Sequence, residues 1–286
     1  MNMEKFQQFR RGDLQVAPTG KYRQLCSSRA GFTLVELVVT IVIIGILSSI
    51  GGMFISQPIE GYIDLERRTE LVDQAEMALR RMQRDIRSAL PNSVRISADG
   101  KRLEMLHVVA GGRYRRSGAG DILDFSLVDI GFDVLGGVEN FSDVNLGTDL
   151  VVVYNLSATG TTANAYLGDN STPVLAGSTA INLTISNQFP YASPLQRFFI
   201  VDTAVTYRLR DGELTRHSGY PFNTTQFNPG TATGDLVASH IVLAASKFDY
   251  DAGTASRSGL VNVQLALENS GERITLLHQV HVDNAP

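Results

Sequence analysis

The chain begins with a polar, basic segment and then changes to a long apolar run. From Phe32 to Phe54 the sequence reads FTLVELVVTIVIIGILSSIGGMF, 23 residues with a single charged side chain, Glu36. As an α-helix this run would span about 34 Å, slightly more than the roughly 30 Å hydrocarbon core of a bilayer. The pattern therefore predicts a membrane-spanning helix over residues 32–54.

Beyond this run the apolar positions become periodic and predict that the helix continues. They recur at steps of three or four residues, the spacing of one helix face, at Leu71, Ala75, Leu79, Met82, Ile86 and Leu90. Pro58 lacks a backbone donor and predicts a kink. The helix is expected to end at Leu90-Pro91-Asn92, because the residue before a proline avoids the α region. A helix over residues 32–90 would be about 88 Å long.

From Val94 onward the period changes to two, which predicts β-strands. In the clearest hairpin, Val205–Arg216, alternating apolar residues lead into Asp211-Gly212, a preferred two-residue turn. A second hairpin is predicted over residues 261–282, with its turn at Asn269–Glu272. Other predicted strands are Arg102–Val108, Ile122–Val128, Leu150–Leu156, Ile181–Ser186 and Phe198–Val201. Stretches 111–120, 157–180 and 219–235 are rich in Gly, Thr and Asn and are expected to be surface loops.

These patterns predict an α+β protein with a long, partly transmembrane N-terminal helix followed by an antiparallel β-sheet domain. The expected divisions are a leader (1–31), a transmembrane segment (32–54), an amphipathic periplasmic helix (55–90) and a β-rich globular head (91–286).

The net charge is divided unevenly between the ends of the chain. Residues 1–31 contain six basic and two acidic side chains, a balance of +4, whereas the whole chain carries −4, so the remainder carries −8. Basic residues before an apolar run stay in the cytoplasm, which predicts a cytoplasmic N-terminus and a periplasmic head. The acidic remainder argues against nucleic acid as a partner. The only cysteine, Cys26, lies in the leader, so a chain without the leader could form no disulfide.

The junction between leader and apolar run contains a specific motif. The segment Arg29-Ala30-Gly31-Phe32-Thr33-Leu34-Val35-Glu36-Leu37 resembles the class III signal of type IV pilins and type II secretion pseudopilins. In that family a prepilin peptidase cuts between Gly and Phe and methylates the new Phe amine. The resemblance implies cleavage between Gly31 and Phe32 and N-methylation of Phe32. In the family the basic residue is more often directly adjacent to the cleaved Gly, whereas Ala30 intervenes here.

Glu36 has a physical interpretation of its own. A carboxylate in a membrane helix costs about 2.5–3.5 kcal/mol at the centre of the bilayer and less near the interface. The newly freed Phe32 ammonium of a neighbouring subunit would offset that cost and would set the register between subunits in a fibre. This matches the assembly role that the family assigns to the glutamate. The alternative is a carboxylate that simply lies among the lipid headgroups.

A second resemblance covers more of the chain. The segments Glu76–Ser97, Val205–Arg216 and Leu260–Pro286 resemble large minor pilins of the J-type pseudopilin group, and most of all a minor pilin of mannose-sensitive haemagglutinin (MSHA) pili. Such proteins are implied to start fibre assembly and to end at the fibre tip. The implied partners are prepilin peptidase, the major pilin and other minor pilins, the inner-membrane assembly platform and membrane lipid.

Several other functions share parts of this pattern. The closest is a J-type minor pseudopilin of a type II secretion system, which shares the same architecture. A tip adhesin or DNA-binding pilin would meet its ligand through loops 111–120 or 157–180. A simple membrane anchor, an uncleaved or cleaved secretory signal and a tethered envelope enzyme are the more distant alternatives.

The enzyme-like motifs are weak. His278 and His281 are three residues apart in a predicted strand, so they point to opposite faces and cannot bind one metal ion. The sequence Asp249–Gly253 lacks the later glutamate of an EF-hand and is expected to be a solvated turn. Gly111–Gly120 lacks the Lys-Ser/Thr of a phosphate loop, and no G-x-S-x-G motif occurs. The sequence therefore predicts no catalytic activity, no metal and no cofactor.

Overall fold

A computed structural model describes residues 31–253, 258–282 and 284, and for residues 52–58 it describes the backbone alone. The predicted leader up to residue 30 lies outside the described residues. The chain divides into two compact units at Pro58–Ile59. The second unit contains the β-sheets and is the part in which the core forms.

The order of elements is one long helix followed by strands. Helix α1 comprises the 54 residues Leu34–Arg87. The strands are β1 (Arg95–Ile96), β2 (Arg102–Tyr114), β3 (Asp129–Leu135), β4 (Leu150–Val153), β5 (Ser171–Pro173), β6 (Asn182–Asn187), β7 (Arg197–Arg210), β8 (Glu213–Tyr220), β9 (Asp235–Ala238), β10 (Lys247–Asp251), β11 (Gly259–Asn269) and β12 (Glu272–Val282). Short 3-10 helices lie at Phe141–Asp143 and Leu243–Ala245.

The strands form two antiparallel sheets. In the larger sheet the order is β5-β4-β7-β2-β3-β6, with β1 paired to β2, β8 to β7 and β9 to β8. The smaller sheet has the order β10-β11-β12. The predicted α+β class, an N-terminal apolar helix followed by an antiparallel β domain, is confirmed.

The second half of α1 supplies one side of the main core. Its predicted apolar stripe is buried: Met82 and Ile86 are fully covered, and Leu71, Ala75 and Leu79 are at most 6 % exposed. These side chains pack against residues from β2, β7 and β8 of the larger sheet and from all three strands of the smaller sheet. Burial of such a stripe, at about 1.5–3 kcal/mol for each large side chain, holds this part of the helix on the β domain.

The end of the helix differs from the prediction. The helix ends at Arg87, three residues before the predicted Leu90, because the backbone beyond it pairs with β2. The Leu90 N–H donates to the Leu106 carbonyl at 2.8 Å, and the Val108 N–H donates to the Ser88 carbonyl at 3.0 Å. These sheet bonds replace the helical ones. Helix α1 continues through Pro58 without a break. The kink predicted at Pro58 stays a prediction.

The two predicted hairpins are confirmed. Asp211 and Gly212 both have positive φ, at 53° and 79°, as the two-residue turn between β7 and β8 requires. Ser270 and Gly271 do the same between β11 and β12, inside the predicted Asn269–Glu272 turn.

Other strand predictions are wrong in instructive ways. Ile122–Val128 is not a strand, because the Asp124 carboxylate accepts hydrogen bonds from the N–H and the hydroxyl of Ser126 and holds a turn. The strand begins at Asp129 instead. Phe198–Val201 and Val205–Arg210 belong to one continuous strand, β7. The predicted loops also contain strand: Gly111–Tyr114 is part of β2, and Ser171–Pro173 is β5.

Candidate functional site

Thr33 determines where α1 begins. Its Oγ1 accepts a hydrogen bond from the backbone N–H of Glu36 at 3.2 Å, and its carbonyl accepts one from the N–H of Leu37 at 3.1 Å. The first N–H groups of a helix have no partner within the helix, so a threonine at this position stabilises the start. The spacing Thr33-x-x-Glu36 is that of a capping box. The same residues that form the predicted processing motif thus also specify the helix terminus.

Glu36 lies in the first turn of α1 and its side chain is exposed. The N-terminus of a helix carries partial positive charge, which favours a carboxylate by about 0.3–1 kcal/mol. This is less than the about 2.5–3.5 kcal/mol that a carboxylate costs at the bilayer centre. The helix terminus alone would therefore offset only part of the cost of placing Glu36 at the bilayer centre.

Gly31 and Phe32 lie directly before the helix and are uncovered. A Cβ atom built on Gly31 would have no other atom within 4 Å, and Phe32 is 75 % exposed. The peptide bond between them, where cleavage is predicted, is open to an approaching enzyme in the described part of the chain. The structure brings Gly31, Phe32 and Glu36 together at the start of one helix. Their roles stay predictions.

The helix that follows is suited to a membrane. Leu34–Gly51 has a mean hydropathy of 2.5, and none of this window is buried. Its length, about 27 Å as a helix, is close to the thickness of a hydrocarbon core. The hydroxyl of Thr40 is satisfied within the helix, since it donates to the carbonyls of Glu36 and Leu37, each at 2.9 Å. Thr40 therefore leaves no unsatisfied hydroxyl donor on the apolar surface of this segment.

The weak enzyme-like motifs lie in ordinary structural positions. His278 is partly buried and His281 is exposed on β12, in keeping with the opposite faces predicted for them. Asp249–Asp251 lies in β10 and pairs with β11, so the predicted solvated turn there is wrong. Within the described residues no group of three or more His, Cys, Asp or Glu side chains is placed to hold a metal ion.

A buried ion-pair network in the head was missed in the sequence. Arg95 donates from Nε to the Glu104 carboxylate at 2.8 Å, and the two side chains are 7 % and 1 % exposed. Other guanidinium nitrogens of Arg95 donate to the carbonyls of Asn223 and Thr224, and the guanidinium stacks on the Tyr166 ring at 3.6 Å. Neighbouring Tyr220 donates to Glu104, and burial, together with that charge, raises the pKa of its hydroxyl. The network fastens two long loops to the sheet.

Comparison with known families matches residues 26–52 to the prokaryotic N-terminal methylation motif. No curated protein and no solved structure matches the chain. The matched residues include the predicted cleavage junction, Glu36 and most of the apolar run. The motif supports a type IV pilin-like or pseudopilin protein, implies processing by prepilin peptidase and assembly with pilins, and suggests a structural rather than an enzymatic role. Signal and apolar helix together fit membrane anchoring.

Proposed function

We propose that this chain is a minor pilin of a type IV pilus of the MSHA type, resembling the minor pilin MshO. Prepilin peptidase cleaves it between Gly31 and Phe32 and methylates Phe32. The chain is held in the inner membrane by residues 32–54, with its N-terminus cytoplasmic and its head periplasmic. It acts in the initiation of fibre assembly and reaches the cell surface at the fibre tip.

The observation that carries the proposal is the motif at residues 26–52, of which residues 34–51 form an exposed apolar helix. Thr33 caps this helix and Glu36 lies in its first turn. Because the helix terminus offsets only part of the cost of burying the Glu36 carboxylate, a cation supplied by a neighbouring subunit would stabilise it further. The methylated amine of Phe32 is such a cation, and it becomes available only after cleavage.

The size of the head supports a minor rather than a major subunit. Residues 32–286 are 255 residues, of which 91–286 form the predicted head, and a head this large would pack poorly along a densely repeated fibre. The same architecture is compatible with a J-type minor pseudopilin of a type II secretion system, which is the second candidate function.

Deletion of the gene in the source bacterium distinguishes the two candidates. Sheared surface pilin is quantified, and secreted exoenzymes are assayed in the same culture. We expect loss of surface fibres with normal secretion, and recovery of the fibres when the wild-type gene is returned. Intact fibres with exoenzymes retained in the periplasm would overturn the pilus proposal in favour of the secretion pseudopilin.

A further inference from the structure

Strand β12 forms one edge of the smaller sheet. It pairs with β11 along its whole length, from Glu272 to Val282, without a register shift. On its other side the sheet ends, and no hydrogen bond joins its backbone to a described residue outside β11. In an antiparallel pair about every second residue directs its N–H and C=O away from the partner strand. In the described part of the chain, β12 therefore presents a row of open main-chain donors and acceptors.

This edge lacks the features that normally protect an edge strand. Such strands avoid pairing with other chains by being short, by carrying charges or proline, by containing a bulge, or by being covered. The strand has 11 residues. From Ile274 to Val282 its sequence is ITLLHQVHV, which contains no Asp, Glu, Lys, Arg or Pro. A long edge of this composition is suited to pairing with another strand.

The other edges of the two sheets are protected. Strands β1 and β9 have only two and four residues. Strand β5 has three residues and ends with Pro173, and Leu175 just after it donates to the Thr184 carbonyl of β6 at 2.9 Å. Strand β10 (KFDYD) is highly charged, and its Phe248 N–H donates to the Gly100 carbonyl at 2.8 Å. Among the described strands, β12 is therefore the long edge without protection.

The core is also incompletely covered along β12. On β11 the row of side chains that faces the core is fully buried: Val261, Val263, Leu265 and Leu267. On β12 the middle of the corresponding row, Leu276 and His278, is partly exposed. The Nε2 atom of His278 is buried without a hydrogen-bond partner among the described residues. A further strand beside β12 would cover both side chains and extend the core.

Strand β12 runs in the same direction as the second half of α1. At the start of β12, Gln74 of α1 contacts Ser239 at 3.0 Å. Two residues after Ser239 the chain bridges to Leu267, which pairs with the third residue of β12. Just beyond the end of β12, Asn92 donates to the Asn284 carbonyl at 3.3 Å. This shared direction limits which strand can pair with β12.

A second copy of this chain does not suit that position. In a closed pair of copies joined at this edge the two β12 strands would be antiparallel, so the second halves of the two α1 helices would point in opposite directions. The N-terminal ends of those halves, from which each chain continues to its apolar segment, would lie on opposite sides of the pair. Two copies anchored in one membrane cannot be arranged in this way. A head-to-tail contact would need a second open edge, and the described strands offer none.

We propose that β12 binds an extended segment of a different protein, which adds a fourth strand to the smaller sheet through main-chain hydrogen bonds. The segment has large apolar side chains at alternate positions, beside Leu276 and Val280, and uncharged side chains between them, beside Leu277 and Gln279. The inference goes beyond the proposed function. It applies equally to a pilus and to a secretion machine, because it rests on the edge and on the direction of α1.

A peptide of known sequence tests main-chain pairing at this edge. The full chain is purified in detergent micelles, and fluorescence anisotropy measures its binding of a labelled peptide that copies Gly259–Asn269, the strand that already matches β12. Two further peptides carry N-methyl groups on one or the other set of alternate residues. Pairing at an edge uses only one set of amides, so we expect one methylated peptide to bind about tenfold more weakly than the other.

Charged substitutions locate the binding on β12. We expect Leu277→Lys with Gln279→Lys, which gives this edge the protection it lacks, to weaken binding of the unmethylated peptide about tenfold. Leu236→Lys with Leu195→Lys adds the same charge at two exposed leucines away from β12 and should leave binding unchanged. Thermal melts of each variant establish that the head is folded.

Crosslinking in the source bacterium tests the identity of the occupant. A photo-reactive phenylalanine analogue replaces Gln279, and mass spectrometry identifies the crosslinked peptides. We expect them to map to one segment of a different protein with alternating apolar residues. The Leu277→Lys substitution in the same chain should reduce this product, and the analogue at Leu236 should not form it.

Three results would overturn the proposal. These are no saturable binding of the unmethylated peptide, equal binding of the two methylated peptides, and crosslinks from position 279 to a second copy of this chain. None of them affects the proposed function, which the gene deletion tests independently. Intact surface fibres after deletion would overturn the proposed function and leave the measured pairing at β12 standing.

Discussion

At the scale of single residues, Glu36 combines two roles in one position. It is the third residue of a helix that Thr33 caps, where partial positive charge favours a carboxylate. It is also the one charged side chain in a run of 23 residues suited to a membrane. A helix-start signal explains where the helix begins. It does not explain why a glutamate, rather than an uncharged glutamine that also fits the capping pattern, occupies a membrane segment.

This distinction gives the first prediction. We expect Glu36→Gln and Glu36→Val to be cleaved like the wild type but to be incorporated poorly into fibres, because both lose the negative charge that a neighbouring Phe32 ammonium would contact. Immunoblots of whole cells report cleavage as a shift in size, and the sheared fraction reports incorporation. Glu60→Gln, an exposed acid beyond the apolar run, is the control. Normal incorporation of both Glu36 variants would contradict the pairing.

His107 is a second residue with an electrostatic role, in the head. Its Nδ1 lies 2.8 Å from the Asp202 carboxylate, and this hydrogen bond raises the pKa of the imidazole against the lowering effect of burial. More distant charges, Asp85 and Arg216, act in opposite directions. The folded head is therefore more stable when His107 is protonated than when it is neutral.

The pH dependence of stability follows from that direction. Because the pKa of His107 is higher in the folded state, the stabilisation is complete below the unfolded pKa of about 6.5 and is lost as the pH rises through the folded value. We expect Asp202→Asn, which keeps the shape and removes the charge, to lower the melting temperature at about pH 5.5 more than at about pH 8.5. Thermal melts of both chains across this range measure the difference. An equal loss at both ends would show that the pair does not depend on protonation.

At the scale of elements, the apolar stripe determines which face of the second half of α1 is buried. The stripe packs against both sheets at once, so each buried position is enclosed on several sides. The exposed face of the same turns carries Met77, which is 65 % exposed. Met77 and Ile86, nine residues apart on the same helix, therefore have opposite environments, one exposed and one buried. A charged substitution at each position measures this difference.

We expect Ile86→Asp and Leu79→Asp to destabilise the head by several kcal/mol, on the order of 3–5, because each places an unpaired carboxylate in the core. Met77→Asp is the matched control on the exposed face and should change the free energy of unfolding by less than about 0.5 kcal/mol. Chemical denaturation of the full chain in detergent gives these values. Unchanged unfolding of Ile86→Asp would refute the packing of this stripe.

Strands were harder to predict than the helix for a local reason. The alternation in Ile122–Val128 has the period of a strand. The Asp124 carboxylate, however, accepts hydrogen bonds from Ser126, two residues further along the chain, and these bonds hold a turn. The strand β10 was missed because Asp249 and Asp251 give its sequence the composition of a loop. Pairing with β11 decides its conformation. Propensity is a weak guide wherever cross-strand partners supply the stabilisation.

At the scale of the whole molecule, a basic segment, an apolar helix and an acidic β domain follow one another along the chain. The leader carries +4 and residues 32–286 carry −8, and the exposed apolar helix is at the start of that second part. Within the head the main core joins the helix to both sheets, and further clusters lie among β2, β3, β4, β6 and β7. The head is acidic overall, so the effect of each arginine depends on which side chains the fold places beside it.

The sequence by itself determined the features that depend on neighbours along the chain. These are the apolar run, the helix start at Thr33 and Glu36, the stripe from Leu71 to Ile86, and the turns of the two hairpins. Each is specified by periodicity, capping or positive φ within a few residues. For the same reason the processing motif could be recognised without any knowledge of the head.

Only the tertiary structure decided the features that join distant residues. The early end of α1 at Arg87, the buried pair of Arg95 with Glu104 and the apposition of Arg113 with Arg197 all depend on which strand lies beside β2. Arg113 and Arg197 are far apart in sequence, and nothing local to either predicts the other. Several strand orders fit the same hairpins, because long-range pairing energies are not encoded in any short segment.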